Sequence, residues 1–330
     1  MASPQQITAL LRSHAADDEE RFRAIAMQIA ANEAAKGKPE FAAEIRRILE
    51  QSGARKAAEV AQHGAQSNTV SIIRPQGELA QLIQAVEPSV GLSQIVLSDR
   101  LRSRLSRIVR EQLHFSRIRE HGLRPRQRLL LLGPPGCGKT MTAQALAHDL
   151  GLPLFVVRLD ALFTKFMGET AAKLRVVFDA IETHRAVFLF DEFDSLGLAR
   201  GAQHDVAEMR RVLNSLLVFI DNLRGHSLLV AASNHPEALD PALFRRFDDI
   251  LRYSNPTEKE IEALLRQKLA TQLETKFEWR KLVAAGKGLS FAEIARGADE
   301  ALKEALIEEG ASVDTKRVVA ALRERAEHIP

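Results

Sequence analysis

The chain is poor in cysteine: Cys137 is the only one in 330 residues. That excludes a disulfide framework and any multi-cysteine zinc site, and it suits a reducing compartment. Long hydrophobic runs are missing as well. Runs such as those at 129–132, 187–190 and 228–232 fall far short of the roughly 18 residues needed to cross a bilayer. The opening Met-Ala-Ser-Pro-Gln-Gln has neither the basic nor the apolar region of a signal peptide, so a soluble, cytoplasmic protein without membrane insertion is expected. No charge of one sign dominates. Lys and Arg number 46 against 43 Asp and Glu, and the balance of +3 is too small by itself to indicate nucleic acid. The ten histidines show no H-x-x-x-H or other compact ligand spacing, and His204 and His235 read as solvent or loop residues. With 45% hydrophobic and 27% charged residues, the mix is that of a globular protein and excludes a fully disordered or fibrous chain.

The patterning divides the chain. Three short amphipathic helices are expected within residues 1–52, with apolar faces such as Phe22, Ile25, Ile29 and then Phe41, Ile45, Ile48. Such a unit has little core of its own. Residues 53–91 read as a linker rich in Ala, Gln, Ser and Gly, with one short helix around 79–86. A basic helical stretch follows, carrying Arg100, Arg102, Arg104, Arg107, Arg110, Arg117 and Arg119 and running into Arg124, Arg126 and Arg128. Leu97, Leu101, Leu105, Ile108, Val109 and Leu113 are its expected buried face. It suits a solvated or interface-facing helix, or an acidic-partner or nucleic-acid surface. No aromatic residues are interleaved for base stacking, which weakens the last reading.

From residue 128 short apolar runs alternate with helical patterns, the signature of a parallel sheet buried on both faces. After Asn255-Pro256-Thr257 the pattern is helical to the end. The expected architecture is α/β: a parallel-sheet nucleotide-binding core over 92–255 and an all-α lid over 256–330.

Two motifs carry chemistry. Gly133-Pro-Pro-Gly-Cys-Gly-Lys139-Thr140 matches G-x-x-x-x-G-K-[ST] between a strand and a helix. Its glycines let backbone N–H groups point at a phosphate, helped by the helix N-terminus. Lys139 brings a cation to the β- and γ-phosphates, and Thr140 offers a hydroxyl to Mg²⁺. The expected nucleotide contacts are Pro135, Gly136, Cys137, Gly138, Lys139, Thr140 and Met141, with Cys137 a small filler. Further on, Val187-Phe-Leu-Phe-Asp191-Glu192 reads as a buried strand ending in two carboxylates, where open α/β sheets bind ligands. Asp191 suits Mg²⁺, partly through water, and Glu192 suits the polarisation of an attacking water. Together they point to hydrolysis of a nucleoside triphosphate.

With these motifs the chain resembles the AAA+ ATPases, in particular the AAA clade of protein-remodelling motors, from about residue 92 to the end. Val230-Ala-Ala-Ser-Asn234 looks like the strand ending in the sensor-1 residue, placing Asn234 at the γ-phosphate or attacking water. Asp240-Pro-Ala-Leu-Phe-Arg245-Arg246-Phe-Asp248 resembles the region whose arginines act across a subunit boundary, although adjacent arginines depart from the common R-x-G-R spacing. Arg245 is the first choice for that finger and Arg246 the second. Gly288-Leu-Ser-Phe-Ala-Glu-Ile294 resembles the lid segment whose backbone meets nucleotide near Gly288 and Ala292. Phe163-Thr-Lys-Phe166-Met167-Gly168 stands where these motors carry a pore loop, making Lys165, Phe166, Met167 and Gly168 candidate substrate contacts. The resemblance implies ATP and Mg²⁺ as cofactors, a homo-oligomeric ring of hexamer type, and a protein substrate or adaptor. A separately encoded partner such as a protease is compatible with it. The alternative reading is a DNA-associated loader or transposition-type regulator that uses the basic region 100–128.

Overall fold

The computed structural model describes residues 75–162, 167–195, 203–270, 276–308 and 313–327, with backbone alone for 167–168 and 203–211. The expected helices within 1–52, most of the linker, and Lys165 and Phe166 lie outside the described residues.

In chain order the elements begin with α1 (Leu79–Leu82), β1 (Ile83–Val86), α2 (Asp99–Leu113), α3 (Phe115–Glu120) and β2 (Arg128–Leu132). Next come α4 (Lys139–Leu150), β3 (Leu154–Val157), α5 (Leu159–Leu162), α6 (Met167–Thr183) and β4 (Val187–Phe190). The core closes with α7 (Gln203–Asn222), β5 (Leu228–Ser233), α8 (Pro241–Phe244) and β6 (Asp249–Arg252). The strands form one sheet in the order β1-β3-β4-β5-β2-β6. All neighbours are parallel except β1, which runs antiparallel to β3.

The apolar runs become strands because both sheet faces are covered, so every residue of β4 and β5 is buried. Side chains alternate between two cores. Leu130, Leu132, Phe188 and Phe190 face the helices α6 and α7. Leu129, Leu131, Val187 and Leu189 face α2 and α4. The mixed α/β core with a mostly parallel sheet is the architecture the sequence predicts.

Two local expectations are corrected. Residues 79–86 are not one helix: a single turn stops at Leu82, and Ile83–Val86 pairs with β3 from Ile83↔Val157 to Val86↔Leu154. One helical turn is weakly cooperative, and the ladder along the open edge of β3 outweighs it. The sheet therefore takes in residues upstream of 92. Leu113 is 56% exposed. The stripe of α2 runs Leu101, Leu105, Ile108 and then Gln112, so Leu113 falls about 100° off the line. Gln112 is 2% exposed and donates through Nε2 to the Arg126 carbonyl, satisfying a buried amide. No strand is expected from the sequence at 249–252, whose Asp-Ile-Leu-Arg shows no apolar run, yet β6 pairs with β2 there, because as an edge strand it needs little apolar cover.

Four arginines of the basic region are built into the fold. Arg102 donates to the carbonyls of Leu92 and Ile95 at 2.9 and 2.8 Å. Arg104 pairs with Asp249, Arg126 with Glu111 at 2.9 Å, and Arg128 with Asp248 at 2.7 Å.

Beyond Pro256 the lid contains α9 (Glu258–Lys268), α10 (Trp279–Gly286), α11 (Phe291–Ile307) and α12 (Thr315–Glu327). A capping box starts it: Thr257 Oγ1 accepts from the Glu260 amide at 3.4 Å and Glu260 Oε2 accepts from the Thr257 amide at 2.7 Å. Ile261, Leu265, Leu282, Ile294, Val318 and Leu322 form its separate core. Among the described residues no helix is long and apolar enough to cross a membrane.

Candidate functional site

The loop leaving β2 reaches α4 through two left-handed glycines, Gly136 at φ 74° and Gly138 at φ 89°. A Cβ on Gly136 would also stand 2.4 Å from Ser290 Oγ, so that position requires glycine on two counts. Lys139, the first residue of α4, is 6% exposed. Its ammonium donates to the carbonyls of Gly133 and Pro134 at 2.6 and 2.8 Å and to Asn234 Oδ1 at 2.7 Å. All three donors are used, as a buried ammonium demands. Burial lowers its pKa below the usual lysine range, opposed by Cys137 and by the Asp191 and Asp194 carboxylates. Cys137 is buried, its Sγ 3.5 Å from Asn255 Oδ1. Burial pushes its thiol up, with Lys139 pulling the other way.

At the carboxyl end of β4, Thr140 Oγ1 donates to Asp191 Oδ2 at 2.7 Å. Asp191 Oδ1 accepts the Glu192 amide at 3.0 Å. Among the described residues, Glu192 is the non-glycine at positive φ, 50°, a conformation that costs about 1–2 kcal/mol. The following residue holds the turn in place. Phe193 is 1% exposed, its amide donates to the Ala232 carbonyl at 2.8 Å, and its ring lies edge-on to Phe190 and Phe247. The strain thus sits on a side chain that the turn leaves exposed at the cavity wall.

Asp194 was absent from the sequence-derived site. It is 6% exposed and accepts the Asn234 amide at 3.1 Å, so it ties the end of β5 to the carboxylate turn. The Asp-Glu-Phe-Asp spacing was visible, but nothing local marks its second Asp as buried. Asp194→Ala is expected to lower the ATP hydrolysis rate about tenfold at unchanged nucleotide affinity, because a buried bond to a charged group is worth about 1.5–3 kcal/mol. Asp194→Asn keeps an acceptor and should retain most of the rate. Steady-state hydrolysis alongside equilibrium nucleotide binding decides it; parental turnover in the alanine variant refutes the positioning role.

The lid supplies the opposite wall. Ser290 Oγ caps α11 by accepting the Glu293 amide at 3.3 Å, and the Ala292 amide donates to the Gly136 carbonyl at 3.0 Å. Between core and lid lies a cavity of about 700 Å³. It gathers the phosphate loop from Pro135 to Thr140 with Met141, and Asp191, Glu192, Asn234 and Ala292. Gly288, at φ 86°, turns the chain into this wall without lining the cavity. The far end is apolar and went unrecognised in the sequence: Ile95, Val96, Leu97, Leu264 and Phe291. Gln267 Nε2 closes it by donating to the Gln94 carbonyl at 2.6 Å. The signal was there in Ile95-Val-Leu, an apolar run outside the helical period and just before the Ser98 cap of α2.

Arg245 and Arg246 lie outside the cavity lining, and the structure separates them. Arg246 Nε donates to Asp221 Oδ2 at 3.1 Å. Arg245 is exposed, and its guanidinium meets no partner among the described residues. Met167 and Gly168 open α6.

The donor set fits a nucleoside triphosphate. The loop offers backbone N–H groups and a cation to phosphates, and the apolar end suits a flat base. Thr140 and Asp191 offer hard oxygens at 2.7 Å from each other. No group of three or more His, Cys, Asp or Glu able to hold a metal occurs among the described residues. That fits Mg²⁺, which is held by one or two protein oxygens plus phosphates rather than by an all-protein cage.

A parallel sheet with this loop after β2 and this carboxylate pair after β4 defines a phosphate-loop nucleoside triphosphatase. The family model described as "ATPase family associated with various cellular activities (AAA)" matches residues 129–255. An uncharacterized AAA family ATPase, y4kL, of Sinorhizobium fredii is 36% identical over 326 residues, 99% of this chain and 96% of that protein. A protein of Methanothermobacter marburgensis named as a 26S proteasome regulatory subunit homolog is 32% identical over 202 residues, 60% of this chain and 54% of its own length. The ATP-dependent zinc metalloprotease FtsH 4 of Sphaerobacter thermophilus is 32% identical over 232 residues, 67% of this chain and 35% of its own length. The chain belongs to the AAA family of ATPases, and it binds and hydrolyses ATP.

Proposed function

We propose that the chain is a ring-forming motor, a hexamer, that uses Mg²⁺ and ATP to remodel, unfold or disassemble protein substrates. The observation that carries this reading is the placement of Arg245. No arginine lines the cavity, so among the described residues the chain offers its own phosphate end no guanidinium, while Arg245 stands exposed and unpaired. A neighbouring subunit in a closed ring can supply it.

In this mechanism Lys139 exchanges its carbonyl partners for β- and γ-phosphate oxygens. Thr140 and Asp191 would hold Mg²⁺, which would supply charge neutralisation at the phosphates. Glu192 takes the proton of the attacking water, and Asn234, fixed by Asp194, orients it. Arg245 of the next subunit meets the charge that develops on the γ-phosphoryl group. Contacts of Gly136 with Ser290 and Ala292 tie the phosphate loop to the lid, a direct route from nucleotide state to lid position. Lys165, Phe166, Met167 and Gly168 are the proposed grip on substrate, where an aromatic and a flexible Met tolerate many sequences.

The names of the relatives support a protein substrate and leave room for a separately encoded protease as companion. Ion pairing of Arg104, Arg126 and Arg128 within the fold takes three of the ten arginines on which the DNA-loader reading relies.

The test is hydrolysis per subunit against protein concentration, with and without an unfolded protein. Turnover is expected to rise steeply with concentration and to be stimulated by unfolded protein. Phe166→Ala should keep basal turnover and lose the stimulation. A concentration-independent rate, or stimulation by DNA alone, overturns the reading.

A further inference from the structure

The end of the sheet opposite the nucleotide cavity, at the amino ends of β4 and β5, carries a second cleft of about 270 Å³. Leu113, His114, Phe115, Arg117, Arg185 and His226 line it. Every ionisable group in that set is a guanidinium or an imidazole. Phe115, 6% exposed, forms the floor, and the His226 ring packs against it with centroids 4.6 Å apart. The Arg119 guanidinium lies 5.8 Å from the Phe115 centroid and its Nη1 is 3.5 Å from His226 Nε2, so the imidazole is held in position. Leu113 leaves 56% of its surface in water at this cleft.

The cleft gathers unspent charge. Arg102 is committed to carbonyls and Arg104, Arg126 and Arg128 to carboxylates, while Arg107 and Arg110, which have no carboxylate partner among the described residues, do not line this cleft. Arg117 and Arg185 have no carboxylate within ion-pair distance among the described residues. Two guanidinium groups brought together unneutralised repel each other and attract an anion. Each presents a planar fork matched to a carboxylate, and the exposed Leu113 beside them offers apolar contact that an inorganic anion would not use.

We propose that this cleft docks an acidic peptide segment of a partner protein, its carboxylates on Arg117 and Arg185 and an apolar side chain on Leu113. Nucleic acid fits less well, because the aromatic ring here is buried as a floor and gives no face on which bases stack. The inference is independent of ring assembly. A partner held here leaves the nucleotide cavity at the other end of the strands accessible.

The experiment is fluorescence anisotropy of the full chain with a short labelled peptide of repeated Glu-Glu-Leu, without nucleotide. A repeated Gln-Gln-Leu peptide, a repeated Glu-Glu-Ser peptide and a DNA duplex of equal charge serve as comparisons. The acidic apolar peptide is expected to bind best and to lose about tenfold or more of its affinity with the Arg117→Glu/Arg185→Glu double variant, as expected for lost charge-assisted bonds. Leu113→Ser should weaken the Glu-Glu-Leu peptide and leave Glu-Glu-Ser unchanged. Basal ATP hydrolysis and thermal melting of the double variant should match the parent. If that variant melts early, the milder Arg185→Gln carries the same test. Equal peptide affinity in parent and variant overturns the proposal. So does tighter DNA binding that vanishes in the variant, which makes this a nucleic-acid surface, or a change in sedimentation without peptide, which makes it a contact between copies of the chain.

Discussion

Glu192→Gln is expected to bind ATP with parental affinity and to hydrolyse it about 10²–10⁴ times more slowly, the usual span for removing a general base. The substitution keeps the shape of the side chain and its hydrogen-bonding oxygen but cannot accept the proton of the attacking water. It also leaves the backbone interactions intact: the amide still donates to Asp191 Oδ1 and Phe193 still anchors the turn. Folding and nucleotide binding should therefore be unaffected. Tagged Glu192→Gln recovered from its own cells with ATP should retain a specific protein that Lys139→Ala, which loses the cation of the phosphate loop, does not. Single-turnover hydrolysis and the identity of the retained material are the measurements. Parental turnover would remove Glu192 from its catalytic role. Recovery of nucleic acid alone would favour the DNA-associated reading.

Arg245→Ala is expected to leave nucleotide affinity unchanged while lowering turnover about 10³-fold, the lower end of the range for a supplied guanidinium. With no partner among the described residues, Arg245 is expected to leave the folded subunit undisturbed when it is removed. Arg246→Ala differs: it breaks the pair with Asp221, whose two side chains are 31% and 46% exposed, and such a pair is worth about 0–1 kcal/mol. A mixing experiment separates a finger acting in trans from one acting in its own subunit. Arg245→Ala and Lys139→Ala should each be inactive alone. Random co-assembly pairs an intact site with an intact Arg245 at about a quarter of interfaces, so activity should reappear on mixing. A mixture that stays inactive rules out the trans assignment.

How much of this was legible depended on whether the signal was local. The strands β2 to β5 are visible because strands covered on both faces are continuous apolar runs. The phosphate loop is visible because the backbone geometry it needs admits few residues other than glycine at Gly136 and Gly138. Edge strands escape for the opposite reason: Ile83–Val86 and Asp249–Arg252 have a neighbour on one side only, need less apolar cover, and so carry no such run. On α2, the polar Gln112 occupies the buried line where an apolar residue was expected, because its amide finds the Arg126 carbonyl, a partner the helical period cannot reveal.

The sequence by itself determined the class of fold, the phosphate loop, the carboxylate pair and the chemistry they imply, since each depends on residue type at fixed short spacing. The tertiary structure alone decided what depends on distant residues meeting. It brought Asp194 to the Asn234 amide across 40 positions and joined Ile95, Leu264 and Phe291 into the apolar end of one cavity. It set Arg246 against Asp221 while leaving Arg245 exposed, without a partner among the described residues. Burial and electrostatic pairing are properties of neighbours in space, and only the folded chain supplies those neighbours.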